Sequence, residues 1–553
     1  MLCVRFVADP LEHGLEEVAQ VRRRQVLLVW SLLTVMLVSG CVPPEPRKAQ
    51  SKIVYGLTLA PSGIDPHVDV SSELGIPLSS VYDPLVFRTD DGRFVPGLAE
   101  WWEVSDDGRV YTFRLRRGIK FHDGTEFDAA AVKRTLDRVV DPETRSLKAV
   151  LLLGPYQSCE VVDSHTVQII LEEPFAPLLD SLSQVYLAPA SPEALDKWGE
   201  EYQFHQVGTG PYMMREYVAK DRLILVRNPD YALDAEVYRK EGPAAVEVIE
   251  FRFLVEPAVR SLALEAGDAD VVGEIPPQDA ARIESAEGLA LVPVAIPGLP
   301  LVAFLNSARP PTDDLRVRRA LILATDREEI ARVVFGGYSP VADGPLSHSH
   351  ADYDSRVESL HLAYDPGAAV ALLEEAGWVL DGDSPVRVRE GERLQIEAYV
   401  MGWGLVPEVS QLLQAQWSAV GVDLVLNQVT FAAAMAAVGE NRHNLFFWSE
   451  PGTDADLLRS FFHSENIGLR NWSGASLPEL DRILDEARRE RDPVARGEAY
   501  GRAQTIIMEQ ALIVPIRDYV NLNGVRDCVQ GLRFDSRGWF PILHDLAVAG
   551  SCR

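Results

Sequence analysis

The chain has 553 residues, of which 47% are hydrophobic and 24% are charged, and its formal net charge at pH 7 is −29. This composition excludes a disordered chain, and the length exceeds one ordinary hydrophobic core, which predicts two or three domains. Because so acidic a surface repels phosphate backbones, we expect no nucleic-acid partner.

The amino-terminal segment predicts export from the cytoplasm. Three consecutive arginines at residues 22–24 precede an apolar run over residues 26–38, and this run is too short to cross a bilayer core that needs about 20 residues. We interpret residues 1–40 as a signal peptide. Acidic side chains within residues 1–20 do not fit the positively charged start of a signal, so we expect translation to begin near Val21.

The end of this segment, Ser39-Gly40-Cys41, resembles the lipobox of bacterial lipoproteins. The resemblance implies that Cys41 is acylated and becomes the mature amino terminus; the alternative is a poor transmembrane helix with a chance cysteine. Residues 41–52 are proline-rich and polar, which predicts a flexible tether between the lipid and the folded body. Two or three acyl chains are enough to hold such a protein on a membrane.

Hydrophobic periodicity then switches between that of strands and that of helices. Residues 111–115 alternate between apolar and polar side chains after the turn Asp107-Gly108, which predicts a β-hairpin with residues 102–104. Further on, strands over residues 394–400 and 422–429 flank a helix whose apolar face runs through residues 409–417. A strand, a helix and a strand in this order predict a βαβ unit of parallel sheet.

Two more helices carry clear signals at their ends. The first is expected to be capped by Asp365, to begin at Pro366 and to end at Gly377, with Val370, Leu373 and Ala376 on its core face. The second follows Pro478 and has Leu480, Ile483, Leu484 and Ala487 along one face. The alternation of helices and strands predicts α/β sheets in more than one lobe.

Cysteine is scarce once Cys3 and Cys41 are set aside as parts of the export segment. Because an exported protein permits disulfides, Cys528 and Cys552 could close a carboxy-terminal loop while Cys159 stays buried and free. No Cys-x-x-Cys spacing occurs in the sequence, which argues against a zinc or redox motif.

Several strings in the chain resemble one family, the extracytoplasmic solute-binding proteins of the peptide/nickel class, which deliver ligands to ABC importers. They occur in family order from about Ile53 to about Tyr519. The strings are Ile64-Asp-Pro-His67, Trp102-Glu-Val-Ser-Asp-Asp-Gly108, Tyr111-Thr-Phe113, Gly118-Ile-Lys-Phe-His-Asp-Gly-Thr125, Val207-Gly-Thr-Gly-Pro-Tyr212, Arg227-Asn-Pro-Asp-Tyr231, Pro310-Pro311, Asp314-Leu-Arg-Val-Arg-Arg-Ala-Leu321, Asp326-Arg327, Tyr364-Asp-Pro366, Glu375-Ala-Gly-Trp378 and Asp492-Pro493.

The resemblance implies an α/β fold of two lobes, the type II periplasmic-binding-protein fold, with an additional inserted domain and a ligand cleft between the lobes. By analogy, the first lobe comprises residues 53–86, 205–300 and 518–553, the inserted domain residues 87–204, and the second lobe residues 301–517. The crossings between lobes would form a hinge, and closure on a ligand would bury it.

The same resemblance implies the function and the partners. It implies a monomer without a cofactor that binds an oligopeptide, a dipeptide or another small polar solute and passes it to ABC permease and ATPase subunits. With the lipid at Cys41, the protein would be anchored to the outer face of the cytoplasmic membrane, in a periplasm or at a cell surface.

Two loops at strand ends are candidates for ligand selectivity. One, residues 401–404, contains Trp403, and the other, residues 445–454, combines aromatic with acidic residues. An indole can stack on an apolar ligand group, and a carboxylate can pair with an amino group. We predict no catalytic residue and no metal ligand; the predicted ligand-binding residues are Trp448, Trp403, Glu450, Asp454 and Phe447.

The second loop departs from the pattern of the peptide-binding relatives. These typically have an aspartate three residues after the tryptophan that corresponds to Trp448, and the aspartate grips the α-amino group of a peptide. This chain has Pro451 there, so Glu450 would have to approach from another angle. Opines, sugars and other polar solutes therefore stay open beside peptides, and no arginine that binds a ligand carboxylate is identified.

Three other interpretations are kept. His348 and His350 would share one face of an extended strand and His361 could join them, which allows a nickel or metal complex as the cargo. An extracytoplasmic hydrolase would need a spatial triad, because the sequence has no Gly-x-Ser-x-Gly, His-Glu-x-x-His or phosphate-loop motif. A lipoprotein that only scaffolds the cell surface is the third.

Overall fold

Residues 51–550, apart from Ser62 and Val70, are described by a computed structural model. The predicted signal peptide and the predicted lipid site at Cys41 lie outside the described residues. Three sheets organise the described chain into a first lobe, an inserted domain and a second lobe. The fold is thus the two-lobed α/β architecture expected from the sequence. No helix within the described residues is both long and apolar enough to span a bilayer.

The first lobe is built on a mixed sheet of seven strands. Its central strand Lys52–Leu57 pairs in parallel with Val248–Phe253, and the buried tyrosine and leucine side chains of this strand pack into the core that the first lobe shares with the inserted domain. In spatial order the strands are Leu289–Ala295, Val520–Arg526, Val271–Val272, Lys52–Leu57, Val248–Phe253, Arg222–Arg227 and Tyr212–Val218.

The inserted domain carries an antiparallel sheet of four strands. The predicted hairpin at Asp107-Gly108 is confirmed, because Ala99–Val104 pairs antiparallel with Val110–Leu115. The strands of this sheet in spatial order are Ala99–Val104, Val110–Leu115, Thr166–Leu171 and Tyr156–Asp163. A separate short hairpin, Val86–Arg88 with Phe94–Pro96, leads from the first lobe into this domain.

The second lobe has a mixed sheet of five strands with hydrophobic cores on both faces. The predicted βαβ unit is confirmed: Gln395–Val400 and Asp423–Gln428 are parallel neighbours joined by the helix Val406–Ser418. The strands in spatial order are Asp423–Gln428, Gln395–Val400, Leu445–Pro451, Gly298–Leu305 and Ile513–Arg517. Two further strand pairs stand apart, Val388–Arg389 with Glu392–Arg393 and Val529–Gln530 with Ala547–Val548.

Both helices with predicted ends are present. Asp365 caps the helix Pro366–Glu375 by accepting from the amide of Ala368, although Val370 of the predicted core face is only half-buried. The four predicted core residues of Pro478–Arg489 are all buried. The α-helices of the described chain are Gly75–Leu78, Ala129–Val140, Lys148–Leu153, Leu178–Leu182, Pro192–Trp198, Pro257–Ala266, Pro277–Ser285, Leu315–Leu323, Arg327–Val333, Pro366–Glu375, Val406–Ser418, Phe431–Gly439, Leu457–Phe462, Pro478–Arg489 and Pro493–Glu509.

The chain crosses between the lobes at two adjacent places. Strand Leu289–Ala295 belongs to the first-lobe sheet, whereas the next strand, Gly298–Leu305, belongs to the second. The return crossing lies between Ile513–Arg517 in the second lobe and Val520–Arg526 in the first. The amide of Ile296 donates to the carbonyl of Tyr519 at 2.9 Å, so the two crossings run side by side and form a two-stranded hinge.

The cysteines lie in different environments. Cys159 is buried and free, as predicted. Cys528 is disulfide-bonded, and its predicted partner Cys552 lies outside the described residues.

Candidate ligand-binding cleft

A cavity of about 190 Å³ lies where the inserted domain, the second lobe and the carboxy-terminal return meet; we call it the interlobe cavity. Because residues of both lobes line it, a hinge motion would open and close it. Its polar lining includes Lys148, Asp180 and Gln184 from the inserted domain, Glu450, Thr453, Asp454, Asp456 and Arg470 from the second lobe, and Arg537 with Trp539 from the return.

The strand Leu445–Pro451 brings part of the predicted site to this cavity. Successive side chains of a strand point to opposite faces. Leu445 and Phe447 enter one core of the second lobe, while Phe446 enters the other and Trp448 packs against it. Phe447 is only 1% exposed and does not line the cavity, so its surroundings are those of an ordinary core residue.

Trp448 and Trp403 lie together beside the cavity rather than in its lining. Their rings meet edge to face with centroids 5.7 Å apart. The indole Nε1–H of Trp448 donates to Glu450 Oε2 at 3.0 Å, and Arg470 Nη2 lies 3.2 Å from the same oxygen. Trp448 therefore fixes the orientation of a carboxylate that does line the cavity.

Asp454 also lines the cavity, but it is already matched by a cation. Arg496 donates from both terminal nitrogens to the two carboxylate oxygens, at 2.7 and 2.9 Å. The Arg496 side chain lies against the Tyr500 ring, and the field of Asp454 raises the arginine's pKa against the lowering effect of burial. Such a bidentate pair leaves Asp454 less free than Glu450 to receive a ligand amino group.

A buried ion-pair cluster links the inserted domain to the second lobe across the cavity. We call Arg88, Asp180, Thr453 and Arg537 the cavity cluster. Asp180 Oδ1 accepts from Arg88 Nη1 at 2.6 Å and from the Thr453 hydroxyl at 2.7 Å, and Arg537 Nη2 lies 3.7 Å away. Burial alone would raise the pKa of Asp180, but the guanidinium groups of Arg537 and Arg88 outweigh it and hold this pKa below its ordinary value.

Two other ionisable groups of the cavity have pKa values displaced by burial. Desolvation lowers the pKa of Lys148 to about 8 against the opposing field of Glu450, and the ammonium lies 4.2 Å from the Tyr186 ring centroid. Desolvation raises the pKa of Asp456 to about 6. The cavity thus presents charges of both signs, to which a ligand with matching charges can bind.

Several cavity residues escaped the sequence analysis because they come from distant segments. Lys148 and Asp180 precede the loop 445–454 by more than 260 residues, and Trp539 follows it by 85 residues. Of these, only Asp180 carries a usable signal, since it is the single charged residue in the mostly apolar run Phe175–Leu182. A charge in such a run is either exposed or paired, and here it is paired.

Comparison with known proteins decides the family. The model of bacterial extracellular solute-binding proteins, family 5, middle region, matches residues 93–468. The chain belongs to this family. The glutathione-binding protein GsiB of Salmonella choleraesuis is 30% identical over 496 residues, which cover 88% of this chain and 92% of the relative. GsiB of Escherichia coli O1:K1 is 32% identical over 430 residues, covering 76% and 79%.

Solved structures of other family 5 solute-binding proteins share the fold. NikA from Brucella suis in complex with Fe(III)-EDTA has a TM-score of 0.78 and 25% identity, covering 90% of this chain and all of that one. The dipeptide-binding protein from Pseudoalteromonas sp. SM9913 in complex with Met-Leu has a TM-score of 0.74 and 22% identity over 90% of this chain and all of that one. These likenesses agree with a type II binding-protein fold for this solute-binding protein.

In this family 5 protein, the three histidines considered for metal do not come together. His348 bonds through Nδ1 to Asp518 at 2.6 Å and through Nε2 to Asp343 at 3.1 Å, and His361 bonds to the other oxygen of Asp343 at 2.7 Å. His350 is buried elsewhere, with its Nδ1 accepting from the Asp352 amide. Within the described residues, no group of three or more histidine, cysteine or carboxylate side chains is arranged so that it could hold a metal ion. His348 and His361 instead join the hinge residue Asp518 to the second lobe.

Proposed function

We propose that this protein is the substrate-binding component of an ABC importer and captures a short peptide or a glutathione-like solute in the interlobe cavity. The observation that carries the proposal is the mixed charge of a cavity enclosed by both lobes. Glu450 in the second lobe and Lys148 in the inserted domain suit a ligand that has both an amino and a carboxylate group. The glutathione-binding relatives support the same class of solute.

Within this proposal the residues have separate roles. Glu450 accepts the ligand's amino group, and Trp448 holds the Glu450 carboxylate in place. Lys148 attracts the carboxylate end, Arg470 stays paired with Glu450, and Trp403 supports the Trp448 ring from the side. Asp454 stabilises the closed cavity wall through Arg496 rather than contacting the ligand.

Isothermal titration calorimetry with a mixed dipeptide pool, with glutathione and with glucose tests the proposal. We expect binding of at least one peptide-type solute, and we expect Glu450→Gln to weaken it about 10- to 100-fold, the effect of losing a charge-assisted hydrogen bond. Glu479→Gln is the matched control, because Glu479 is exposed on the helix Pro478–Arg489. The ligand should be recovered unchanged.

Three results would contradict this function. Binding of glucose but of no peptide-type solute would indicate that the cargo is a sugar. Hydrolysis of a bound peptide would indicate an enzyme, and no response to any solute would favour a scaffold.

The location and delivery steps belong to the same proposal. Acylated Cys41 would anchor the protein, as a monomer, to the outer face of the cytoplasmic membrane, where closure presents the solute to the permease. Cells expressing Cys41→Ser should release the protein into the soluble fraction, whereas the unaltered chain should partition with detergent and carry the mass of its acyl chains. Equal partitioning of the two would refute the anchor.

A further inference from the structure

A second cavity, which we call the first-lobe cavity, shares Gln184, Arg537 and Phe540 with the lining of the interlobe cavity. Its volume is about 430 Å³, within the range of about 300–1,000 Å³ that is common for sites of small organic ligands. Its described lining contains no residue of the second lobe, so its walls do not depend on closure of the lobes. A ligand bound here would therefore be distinct from a cargo held between the lobes.

Arg88 brings unused hydrogen-bond donors to this cavity. A guanidinium can donate from all of its nitrogens, but Arg88 donates to only one acceptor among the described residues, from Nη1 to Asp180 Oδ1 at 2.6 Å. The Phe94 ring, 5.7 Å from the guanidinium carbon, supports the group. The Arg88 side chain keeps 10% of its surface exposed, and it lines the first-lobe cavity but not the interlobe cavity. Its Nε and Nη2 are therefore available to a ligand on this side.

The open edge of Arg88 has the shape that binds a carboxylate. The N–H groups of Nε and Nη2 lie side by side and form a fork that matches the two oxygens of a carboxylate. Elsewhere in the chain such a fork is filled, because Arg316 donates from Nε and Nη2 to the two oxygens of Asp314 at 3.1 and 2.7 Å. Asp180 reaches only Nη1 of Arg88, so this fork stays open to a carboxylate from a ligand.

Apolar and aromatic side chains form other walls of the cavity. The rings of Phe87 and Tyr238 meet edge to face with centroids 5.7 Å apart, and the Tyr238 ring lies 4.5 Å from that of His544. Val185 and Phe540 add buried apolar surface to the lining. Covering such walls with an apolar ligand body removes them from water, which is favourable.

The acidic side chains of the lining are exposed at the mouth or are already matched by arginine. Arg93 pairs at the mouth with Asp91 and Glu236, at 2.8 and 2.9 Å, and all three side chains are more than half exposed. Asp535 accepts from Arg537 Nη1 at 3.2 Å. The exposed charges of the mouth, which have both signs, are Asp90, Asp91, Arg93, Glu236 and Arg239. Solvent screens these charges, so they oppose an anion at the inner fork only weakly.

We propose that the first-lobe cavity is a second ligand site, separate from the interlobe cavity, and that it binds a small organic carboxylate with an apolar body. The carboxylate occupies the Nε–Nη2 fork of Arg88, and the apolar body lies against Phe87, Tyr238 and Phe540. This site goes beyond the proposed transport function and does not depend on the identity of the cargo.

Isothermal titration calorimetry on the full folded chain tests the site with phenylacetate, 3-phenylpropionate and hexanoate, and with phenylacetamide as the matched neutral ligand. We expect at least one of the acids to bind, and phenylacetamide to bind at least about 10-fold more weakly than phenylacetate because it lacks the carboxylate charge. Arg88→Gln should weaken binding of the acids about 10- to 100-fold. Arg134→Gln is the control, because it changes an exposed ion pair of the inserted domain, and it should have no effect.

Val237→Trp tests the same site without changing Arg88. Val237 is half-buried and lines the first-lobe cavity but not the interlobe cavity, so a larger side chain there should fill the cavity and abolish binding of the acids. Val259→Trp, at a position that is 46% exposed on the helix Pro257–Ala266, is the matched control. Thermal unfolding shows whether each variant is folded. Should Arg88→Gln fail to fold, Val237→Trp and the neutral ligand still decide the result.

Three outcomes would overturn the inference. One is that none of the acids binds to the unaltered chain, and another is that the acid and the amide bind equally or that Val237→Trp leaves binding unchanged. The third is a loss of acid binding in Glu450→Gln, because Glu450 lines only the interlobe cavity and such a loss would place the acid there. The transport function is decided separately by the peptide-type solutes, so it can stand or fail independently of this site.

Discussion

Two polar clusters join the lobes, and they differ in chemistry and in burial. The cavity cluster, built on Asp180, pairs a carboxylate with two arginines, and its charged side chains are 6–10% exposed. The hinge cluster consists of Asp343, His348, His361 and Asp518, and the His348 side chain is 37% exposed. The first cluster is built of arginine and aspartate, whereas the second depends on histidine, the side chain that serves as a switch near physiological pH.

This difference indicates that the cavity cluster and the hinge cluster have different roles at the two ends of the cleft. A buried arginine–aspartate cluster is costly to disrupt and insensitive to pH, so it fixes the wall of the cavity in one arrangement. A half-exposed histidine between two carboxylates holds the hinge more weakly and responds to protons. Changes that remove one member of each cluster measure this contrast.

The largest effect is expected from Asp180→Asn. The substitution leaves the guanidinium groups of Arg88 and Arg537 buried with less compensating charge, which typically costs about 3–5 kcal/mol. Urea unfolding at pH 7.5 measures this as a fall in the free energy of unfolding. Asp196→Asn is the control in the same domain, since Asp196 and its partner Arg134 are exposed, and it should cost less than about 1 kcal/mol. If the two variants lost equal free energy of unfolding, burial would not make the cavity cluster more stabilising than an exposed ion pair.

A smaller effect is expected from the contact that crosses the cleft. Thr453→Ala removes the second-lobe hydroxyl that donates to Asp180 and should cost about 1.5–3 kcal/mol, the usual value for a hydrogen bond to a charged group. Thr453→Ser keeps the hydroxyl and should be nearly neutral. Small-angle scattering should show a larger radius of gyration only for the alanine variant, because its lobes separate more readily. If the serine variant expanded equally, the loss would come from the methyl group and not from the bond.

The sequence predicted the local elements better than the cleft, for a physical reason. The Asp107-Gly108 turn and the cap at Asp365 are determined by a few adjacent residues, and both are present. The sequence predicts Phe447 together with Trp448 as ligand-binding residues, but the strand Leu445–Pro451 is covered on both faces. Alternation along such a strand does not tell which face approaches a ligand. Lys148 and Trp539 reach the cavity only through tertiary folding.

A pH-dependent effect of about 1 kcal/mol is expected at the hinge from His348→Gln. Hydrogen bonds to Asp518 and Asp343 outweigh burial and raise the pKa of His348 above 6.5. A folded-state pKa above the unfolded value stabilises the fold fully below about pH 6.5, and this contribution disappears as pH rises through the folded pKa. The difference between variant and unaltered protein should therefore be largest near pH 5.5 and shrink towards pH 8.5. Because the His348 side chain is partly exposed, solvent screening keeps this difference in the free energy of unfolding small.

The comparison must be made at each pH, since other groups change the stability of both proteins. Burial lowers the pKa of His67 and of His350 to about 4, so these two histidines reduce the stability of both proteins as pH falls below about 6.5. The stabilisation by the hinge cluster also has a lower pH limit. The hydrogen bond from His361 lowers the pKa of Asp343, and this carboxylate becomes protonated in stronger acid. Tyr353 and Arg327 complete the neighbourhood without titrating in this range. A difference that grew with pH would show that His348 is neutral in the fold.

The smallest effect is expected from the exposed ion pair that also connects the inserted domain to the second lobe. Arg489 Nη2 lies 2.9 Å from Glu173 Oε2, a distance close to those within the cavity cluster, but the two side chains are 51% and 44% exposed. Solvent screening should therefore reduce their coupling to about 0.5 kcal/mol or less in a double-mutant cycle of Arg489→Ala and Glu173→Ala, and added salt should reduce it further. A coupling as large as the loss in Thr453→Ala would mean that geometry alone sets the strength of interlobe contacts. A weak coupling would indicate that burial decides which contacts hold the lobes together. The buried contacts of the cavity wall would then do so, and the exposed contacts at the rim of the inserted domain would not.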